Sequence, residues 1–226
     1  MILPTISGDT NINHDSLYFG CDSVYFRQFG IPLINSLKEH APWANIHVHM
    51  FNPEPLQLIW CKNNKITASY ETVDTSIKEL NTYYACVRFI RIPEIFNNNI
   101  RIISLDCDGI AIRPISKDKF LKDTNLSKIL WREKQQKSLA SSVFFGPDDF
   151  RFRYADKLKP YFDNDTYAWY LDQNVMDQMI ANREVEITTS VDWGWYKAKG
   201  TVMILSAKGN TKNEPAFQEL VKKYNQ

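Results

Sequence analysis

The sequence has no long apolar run and contains few of the Cys and His residues that build metal clusters. No stretch of its 226 residues approaches the length of a membrane span, and the first residues lack the basic flank and apolar core of a signal peptide. The cysteines show no C-x-x-C spacing, so neither a zinc site nor a disulfide framework is indicated; they are Cys21, Cys61, Cys86 and Cys107. We therefore expect a soluble, cytoplasmic protein with reduced thiols and no membrane span.

Charge of one sign and histidine are also scarce. The formal net charge is +1, and acidic and basic residues are mixed along the chain, which gives no electrostatic case for a nucleic-acid partner. All four histidines precede residue 50, so no imidazole is available later in the chain. His47 and His49 alternate on a predicted strand, and we interpret them as one face of a half-exposed strand.

Strand and helix patterns alternate along the chain, which favours an α/β fold. The apolar run 100–105 is typical of a central strand covered by helices on both faces. Residues after 115 are expected to form a surface excursion. We predict strands at 17–21, 46–51, 65–73, 100–105, 137–145, 185–191 and 200–206, and helices at 24–40, 81–96, 169–182 and from about 215. Residues 148–162 are expected to form either a charged helix or an irregular segment. The prediction is a single domain over residues 1–226, with a central mixed, mostly parallel sheet flanked by helices.

Two carboxylates stand where the central strand stops. Asp106 and Asp108 are two residues apart, so on an extended chain their side chains point the same way and could share one hard divalent cation. Two carboxylates leave coordination positions open for water or a substrate phosphate, which suits Mg²⁺ or Mn²⁺. Because ligands gather beyond the carboxyl ends of strands in α/β sheets, Asp22 after the first strand and Lys208-Gly209 after the last strengthen this interpretation.

Five segments, in order along the chain, carry a resemblance to a known family. They are Tyr18-Phe-Gly-Cys21-Asp22, Tyr83-Tyr84-Ala-Cys-Val-Arg88, Ile103-Ser-Leu-Asp106-Cys-Asp108-Gly-Ile-Ala-Ile-Arg113-Pro, Leu139-Ala-Ser-Ser-Val-Phe-Phe145 and Leu171-Asp172-Gln173-Asn174. With them the chain resembles the GT-A glycosyltransferases, which have a Rossmann-like α/β domain, and most closely the retaining glycosyltransferase family 8-like group.

The resemblance implies transfer of a sugar from a nucleoside diphosphate sugar, with a UDP-sugar favoured, to an unknown acceptor with retention of configuration. It implies Mn²⁺ or Mg²⁺ on Asp106 and Asp108, and a role for Asp172 and Gln173 beside the reacting carbon. The donor-binding residues that it implies are Cys21, Asp22, Tyr84, Arg88, Asp106, Ser141, Ser142, Lys208, Gly209 and Lys212.

The chain departs from the family at the strand 139–145, which lacks the usual Asn-Ala-Gly, at Arg88, which is one residue off the commonest spacing, and at the closing motif. The closing His-x-x-Gly-x-x-Lys is here Ser206-Ala-Lys208-Gly209-Asn-Thr-Lys212, so Ser206 stands where the third metal ligand is expected. Serine is a poor substitute for imidazole, which predicts weaker metal binding than in typical members.

Three alternatives stay open. The run around Asp106 also resembles the nucleophile motif of haloacid dehalogenase-like phosphatases, although Ile110 replaces its usual Thr. The missing His is equally compatible with a non-catalytic protein that binds nucleotide sugars. The aromatic segment Trp193-Gly-Trp195-Tyr196 is either an acceptor platform or core, and Trp131, Trp169 and Tyr170 share that ambiguity.

Overall fold

A computed structural model describes residues 3–190, 192–194 and 202–225 of this chain. Its strands in these ranges are β1 (Ser7–Gly8), β2 (Ser16–Asp22), β3 (Asn45–Phe51), β4 (Thr67–Glu71), β5 (Ile102–Leu105), β6 (Gly109–Ala111), β7 (Lys128–Arg132), β8 (Lys137–Phe145), β9 (Glu186–Thr188) and β10 (Ile204–Ser206). Its α-helices there are α1 (Ser23–Tyr25), α2 (Ile31–His40), α3 (Pro55–Asn63), α4 (Leu80–Ile95), α5 (Lys117–Asp123), α6 (Phe150–Asp163), α7 (Leu171–Ala181) and α8 (Pro215–Tyr224).

Eight of these strands form one mixed sheet in the order β1-β4-β3-β2-β5-β8-β7-β9. The four strands β4, β3, β2 and β5 run parallel, whereas β8 is antiparallel to both of its neighbours. The short strands β6 and β10 form a separate antiparallel pair. The parallel half brings the carboxyl ends of β2 and β5 to one edge of the sheet, where ligands bind in such folds.

Helices pack on both faces of this sheet, as the apolar central strand predicts. Leu17 and Phe19 of β2 point into one hydrophobic cluster with α2 and α8, and Tyr18 points into the other with α4 and α6. Alternate residues of a strand face opposite sides, so β2 is buried on both. The mixed α/β architecture is therefore as predicted.

The first predicted helix, 24–40, forms with an interruption. A π-helical turn at Phe26–Gly30 lies between α1 and α2, and Pro32, which has no N–H to donate, is the second residue of α2. The other predicted helices also form, with ends that differ by a few residues.

Two predictions about local structure are wrong. His47 and His49 are fully buried rather than half exposed, and ring nitrogens of both histidines share Ser69 Oγ, at 2.8 and 2.9 Å. Burial lowers the pKa of His47 to about 3, so its imidazole is neutral. The predicted surface excursion after residue 115 instead contains α5 and the sheet strand β7, because the buried side chains of Phe120, Ile129 and Leu130 anchor it.

Among the described residues no helix combines the length and the apolar character needed to cross a membrane. Among the described residues, the predicted strands at 185–191 and 200–206 form only at Glu186–Thr188 and Ile204–Ser206, and residues 191, 200 and 201 lie outside the described ranges.

Candidate active site at the carboxyl ends of β2 and β5

A cavity of about 510 Å³ opens beyond β2 and β5, and most of the predicted site residues line it. Asp22 is the last residue of β2, Asp106 directly follows β5, and Lys208 lies two residues after β10. The predicted site residues on its wall are Cys21, Asp22, Tyr84, Arg88, Asp106, Asp108, Asp172, Gln173, Lys208, Gly209 and Lys212. The convergence of these strand-end residues, expected from their positions in the sequence, is present in the structure.

Asp106 and Asp108 both face this cavity, but not for the reason that the sequence suggested. They lie in the turn that joins β5 to β6, where the Gly109 N–H donates to the Asp106 carbonyl at 3.2 Å, and not on an extended strand. Burial and the neighbouring Asp106 charge raise the pKa of Asp108 to about 6, while Lys212 opposes the shift. The pair therefore favours a positive charge beside it.

Three cations face the two carboxylates. Arg88 Nη2 donates to Asp106 Oδ1 at 2.9 Å, and Lys208 Nζ lies 3.9 Å from Asp106 Oδ2. Lys212 Nζ lies 2.7 Å from Asp108 Oδ2 and also donates to the Tyr25 hydroxyl at 2.8 Å. Asp108 and Tyr25 outweigh the effect of burial on Lys212 and raise its pKa, so this ammonium stays charged. These three cations are paired with the two carboxylates, so the wall presents charges of both signs to the cavity.

Arg88 lies on α4, and its side chain contacts the end of β5, the Asp106 turn and β8. Besides Asp106, its guanidinium donates to the carbonyls of Leu105 and Ala140, at 3.1 and 3.2 Å. Burial disfavours its charge, yet the carboxylates of Asp106 and Asp172 more than offset this effect and raise the pKa of Arg88. Gly20 of β2 permits this arrangement, because a Cβ at Gly20 would lie 2.6 Å from Arg88 Cβ.

Asp172 and Gln173 begin α7 on the cavity wall. The Asp172 side chain is 6% exposed and accepts a hydrogen bond from the Gln173 N–H at 2.8 Å. Burial raises the pKa of Asp172, and the nearby Arg88 charge limits the shift. The resemblance places this pair beside the reacting carbon, and the structure puts it in the same cavity as the Asp106–Asp108 turn.

The wall beyond β2 combines a helix-capping carboxylate with an aromatic ring. Asp22 caps α1 by accepting from the Tyr25 N–H at 2.7 Å, so its helix-capping role and its place in the cavity coexist. The Tyr84 ring stacks on Phe51 with centroids 4.7 Å apart. Cys21 lines the same region, and its side chain is nearly buried.

Three predicted site residues lie outside this wall. Ser141 and Ser142 are buried in β8, where Ser141 Oγ donates to the Gly194 carbonyl at 3.0 Å and Ser142 pairs with Leu105 of β5. Because β8 runs antiparallel to β5, its earlier residue Ala140 reaches the cavity instead. Ser206 is also buried, and its hydroxyl is 3.4 Å from Asp108 Oδ1.

The donor set fits a hard divalent cation. Asp106 and Asp108 supply carboxylate oxygens on one cavity wall, and the burial that raises the pKa of Asp108 shows that the ionised pair gains from added positive charge. Within the described residues no group of three or more His, Cys, Asp or Glu side chains is placed to bind a metal. Further ligands at this site would therefore come from the Ser206 hydroxyl, from water or from substrate phosphate.

Sequence reasoning missed several residues on the cavity wall. Tyr25 binds Lys212 and lies three residues after Asp22, one helical turn away. Asn81, Thr82 and Ala85 line the cavity from α4, and Asn81 and Ala85 lie seven and three residues before Arg88, on the same helix face. Helical periodicity counted back from Arg88 was the signal that could have identified them.

The aromatic residues that the sequence left open as core or acceptor platform lie in different places in the structure. Trp193 is fully buried, and its indole N–H donates to Asp123 Oδ2 at 2.7 Å, so it belongs to the core. Trp195 and Tyr196 lie outside the described residues. Trp169 and Tyr170 are exposed and line the cavity.

The phosphatase alternative also needs a later acidic residue beside Asp106, and Asp148, which follows β8, does not lie there. Asp148 accepts from the N–H and hydroxyl of Ser127, at 2.8 and 2.6 Å, and lines a different groove from Asp106. A phosphatase of that type needs its acidic residues around one nucleophile, which this arrangement does not provide.

Comparison of the sequence with models of protein families and with curated proteins finds no match. Solved structures of glycosyltransferases do match the fold. The bifunctional glycosyltransferase WbbM aligns at a TM-score of 0.58 and 14% identity, covering 98% of this chain and 53% of that one. GlyE of Streptococcus pneumoniae TIGR4 in its apo form gives 0.63 and 14%, covering 96% of this chain and 60% of that one.

A third structure matches over nearly its whole length. The galactosyltransferase LgtC, solved with donor and acceptor sugar analogues, aligns at a TM-score of 0.61 and 11% identity, covering 94% of this chain and 96% of that one. This chain therefore spans little more than half the length of WbbM and GlyE but nearly all of LgtC. Together with the sheet order and the strand-end cavity, these matches show that the chain has the GT-A fold of glycosyltransferases.

Proposed function

We propose that this protein is a glycosyltransferase that moves a sugar from a nucleoside diphosphate sugar, with a UDP-sugar favoured, to an acceptor hydroxyl. The observation that carries the proposal is the meeting of Arg88, Lys208 and Lys212 with Asp106 and Asp108 in one cavity. A diphosphate leaving group needs this combination of cations, because its negative charge grows as the bond to the sugar breaks.

The groups on the wall have separate roles in this proposal. Lys208 and Lys212 hold the diphosphate, and Gly209, in the left-handed region at φ 55°, lets the backbone approach it closely. Arg88 fixes Asp106 and adds positive charge. Asp22 and Tyr84 receive the base and ribose, because they lie beyond β2 on the same wall.

A divalent cation, Mn²⁺ or Mg²⁺, is part of the proposal. Asp106 and Asp108 would hold it, and it would supply Lewis-acid stabilisation of the phosphate charge. Lys212 already neutralises Asp108 at 2.7 Å, so a cation that binds there competes with this ammonium for the carboxylate.

In the transfer step the bond between the sugar C1 and the β-phosphate oxygen breaks, and the acceptor oxygen forms a new bond to C1. The acceptor proton passes to an oxygen of the leaving diphosphate, so no protein base is needed. Asp172 and Gln173 orient the sugar at the start of α7, where the buried Asp172 carboxylate faces Arg88. We propose retention of configuration by analogy with the family that the sequence resembles.

Donor binding and donor hydrolysis test this function. We expect UDP or a UDP-sugar with Mn²⁺ to raise the melting temperature, and slow release of free sugar from the donor to accompany it. A panel of UDP- and GDP-sugars identifies the base. Absence of any shift across the panel, with and without Mn²⁺, would refute the proposal.

A second candidate is a protein that binds nucleotide sugars without turning them over. Ser206 favours it, since it occupies the position of the family's His and lies 3.4 Å from Asp108. Donor binding without release of sugar, with any acceptor tried, would support this candidate.

A cytoplasmic location, in either case, stays a prediction.

A further inference from the structure

A buried carboxylate outside the cavity holds helix α4 at two points. Glu71 is the last residue of β4 and is 1% exposed. Its Oε1 accepts from the Tyr83 hydroxyl at 3.0 Å, and its Oε2 accepts from Arg91 Nε at 2.8 Å. Tyr83 and Arg91 are also buried, which strengthens both bonds. Neither Glu71 nor these two partners line the cavity, and the proposed donor-binding roles leave all three unused.

The two partners of Glu71 are spaced so that they fix α4 along its own axis. Tyr83 and Arg91 are eight residues apart, which corresponds to about 12 Å along a helix. Because both side chains bind the same carboxylate, a slip of the helix along the sheet distorts at least one of the two bonds. Apolar packing between α4 and the sheet is non-directional and opposes such a slip less sharply.

Arg88, the cation that α4 brings to the cavity, lies between these two points in the helix. Its guanidinium donates to Asp106 Oδ1 at 2.9 Å and to the carbonyls of Leu105 and Ala140 at 3.1 and 3.2 Å. The Tyr18 hydroxyl also donates to the Arg88 carbonyl, at 2.7 Å, and ties this turn of the helix to β2. Three acceptors at fixed positions leave the guanidinium little tolerance for movement of its helix.

Stability alone does not account for a buried charged pair of this kind. Burial raises the pKa of Glu71, because the carboxylate loses its hydration, and the Arg91 guanidinium opposes the shift. The cost of taking both charges out of water largely cancels their attraction, and an apolar pair of similar size is often as stable. What the directed bonds of Glu71 add is one defined position for the helix.

We propose that Glu71 positions Arg88 for the transfer reaction by fixing helix α4. The carboxylate holds Tyr83 and Arg91, and the helix that carries them places the guanidinium on Asp106. The inference rests on the proposed function, in which Arg88 fixes Asp106 beside the diphosphate. A displacement of about 1 Å, even one caused far from the reacting atoms, can lower a rate by about a hundredfold. Glu71 thus contributes to turnover without contact with the donor.

Three variants separate positioning from stability. Tyr83→Phe removes one hydroxyl and keeps the buried ring. Glu71→Gln keeps the side-chain volume but removes the buried counter-charge of Arg91. The double variant Glu71→Gln/Arg91→Met removes both members of the buried ion pair together. Tyr224→Phe is the matched control, because its hydroxyl bonds His40 at 3.0 Å and the residue lies outside the cavity.

Donor hydrolysis, UDP affinity and melting temperature are measured on each variant. We expect hydrolysis to fall about tenfold in Tyr83→Phe and about a hundredfold in the other two, while UDP affinity falls by about threefold or less. The double variant should recover most of the melting temperature that Glu71→Gln loses, because it leaves no uncompensated buried charge. Its hydrolysis should stay low. Tyr224→Phe should hydrolyse the donor at the wild-type rate.

A crystal structure of the double variant gives a readout that needs no donor. The distance from Arg88 Nη2 to Asp106 Oδ1 is 2.9 Å in the wild type. We expect it to exceed about 3.5 Å in the variant, which is beyond a hydrogen bond. An unchanged distance would overturn the proposal, whatever the activity of the variant.

Two other outcomes overturn it. Recovery of hydrolysis together with melting temperature in the double variant would assign Glu71 to stability alone. A wild-type rate in Tyr83→Phe, the mildest of the three changes, would show that α4 does not need this clamp. A wild type that neither binds UDP-sugars nor hydrolyses them refutes the proposed function instead, and the crystallographic distance then still decides whether Glu71 positions Arg88.

Discussion

The ammonium group of Lys212 lies 2.7 Å from a carboxylate oxygen of Asp108, so this site carries its own counter-ion. Lys212 also donates to the Tyr25 hydroxyl at 2.8 Å, which fixes the ammonium over the cavity wall. This contact ties Asp108 to the short 3₁₀ turn at Gly209–Asn213, although Lys212 lies 104 positions later in the chain. Any cation that binds Asp108 in this cavity would therefore compete with the Lys212 ammonium.

Lys212→Met is expected to strengthen Mn²⁺ binding in the absence of nucleotide, by about tenfold. The ammonium and the metal ion compete for Asp108, and methionine removes the competitor while keeping an apolar stem. The same variant should weaken UDP binding, because one phosphate-binding cation is lost. Titration calorimetry measures both affinities, and Lys222→Met on the exposed side of α8 is the control. Unchanged Mn²⁺ affinity in Lys212→Met would contradict this competition.

Asp108→Asn is expected to stabilise the metal-free protein at about pH 8 relative to the wild type, by something on the order of 1 kcal/mol. The pKa of Asp108 is raised to about 6, so the folded state binds the proton more tightly than the unfolded state does. Stability from this group is present at low pH and is lost as pH rises through about 6. Asparagine does not titrate, and its lost bond to Lys212 offsets part of the gain.

Urea unfolding between about pH 4 and about pH 8, with a chelator present, measures this difference. The free energy of unfolding of Asp108→Asn minus that of the wild type should increase with pH across this window. Asp118→Asn, on the exposed side of α5, should show no such trend. A difference that stays constant with pH would show that Asp108 titrates near its ordinary value.

Lys208→Met is expected to lower turnover by about a hundredfold and donor affinity by only a few-fold. Lys208 Nζ is 3.9 Å from Asp106, a looser contact than that of Lys212 with Asp108, so Lys208 is freer to follow the phosphate charge as it develops. A contact that strengthens in the transition state contributes to kcat rather than to binding. Donor hydrolysis rates and UDP-sugar affinities measured on the same variant give the split. Equal losses in both quantities would assign Lys208 to ground-state binding alone.

Gly20→Ala is expected to lower both stability and turnover. A Cβ at Gly20 would lie 2.6 Å from Arg88 Cβ, so α4 must shift, at a cost of about 1–3 kcal/mol. The shift displaces the guanidinium that binds Asp106 at 2.9 Å. Thermal unfolding and donor hydrolysis report the two effects.

Gly209→Ala is the control for the effect on stability alone, because Gly209 itself lies at the proposed diphosphate site. Nothing lies within 4 Å of a Cβ at Gly209, so its cost comes only from the left-handed backbone at φ 55°. It should leave Arg88 in place. Gly20→Ala with the stability and turnover of the wild type would mean that α4 packs less closely on β2 than the structure has it.

The sequence predicted the alternating elements because their signals are local. Apolar runs such as 100–105 and the helical stripe after Pro215 depend on neighbours in the chain, and both elements form. Segments stabilised by distant contacts were misjudged. β7 is short and flanked by charged residues, and it joins the sheet only because β8 and β9 pair with it.

In the candidate site, too, the residues with a local sequence signal were predicted and those that depend on distant contacts were not. Asp22, Asp106 and Lys208 were identified because they follow strands, and carboxyl ends of parallel strands meet at one edge. Ser141 and Ser142 were assigned to the donor by the family resemblance, whereas Ala140 reaches the cavity; the direction of β8, which decides this, is not readable from its sequence. Likewise, the exposure of Trp169 and the burial of Trp193 depend on which segments pack against each ring.

By itself, the sequence determined the α/β class, the acidic turn after the central strand and the basic turn near the carboxyl end, since residue type and periodicity carry these features. Only the tertiary structure decided that Lys212 neutralises Asp108, that Arg88 joins Asp106 to β8, and that Trp169 and Tyr170 are exposed at the cavity. These relationships join residues far apart in the chain, and their distances are set by packing across the sheet, which no local pattern encodes.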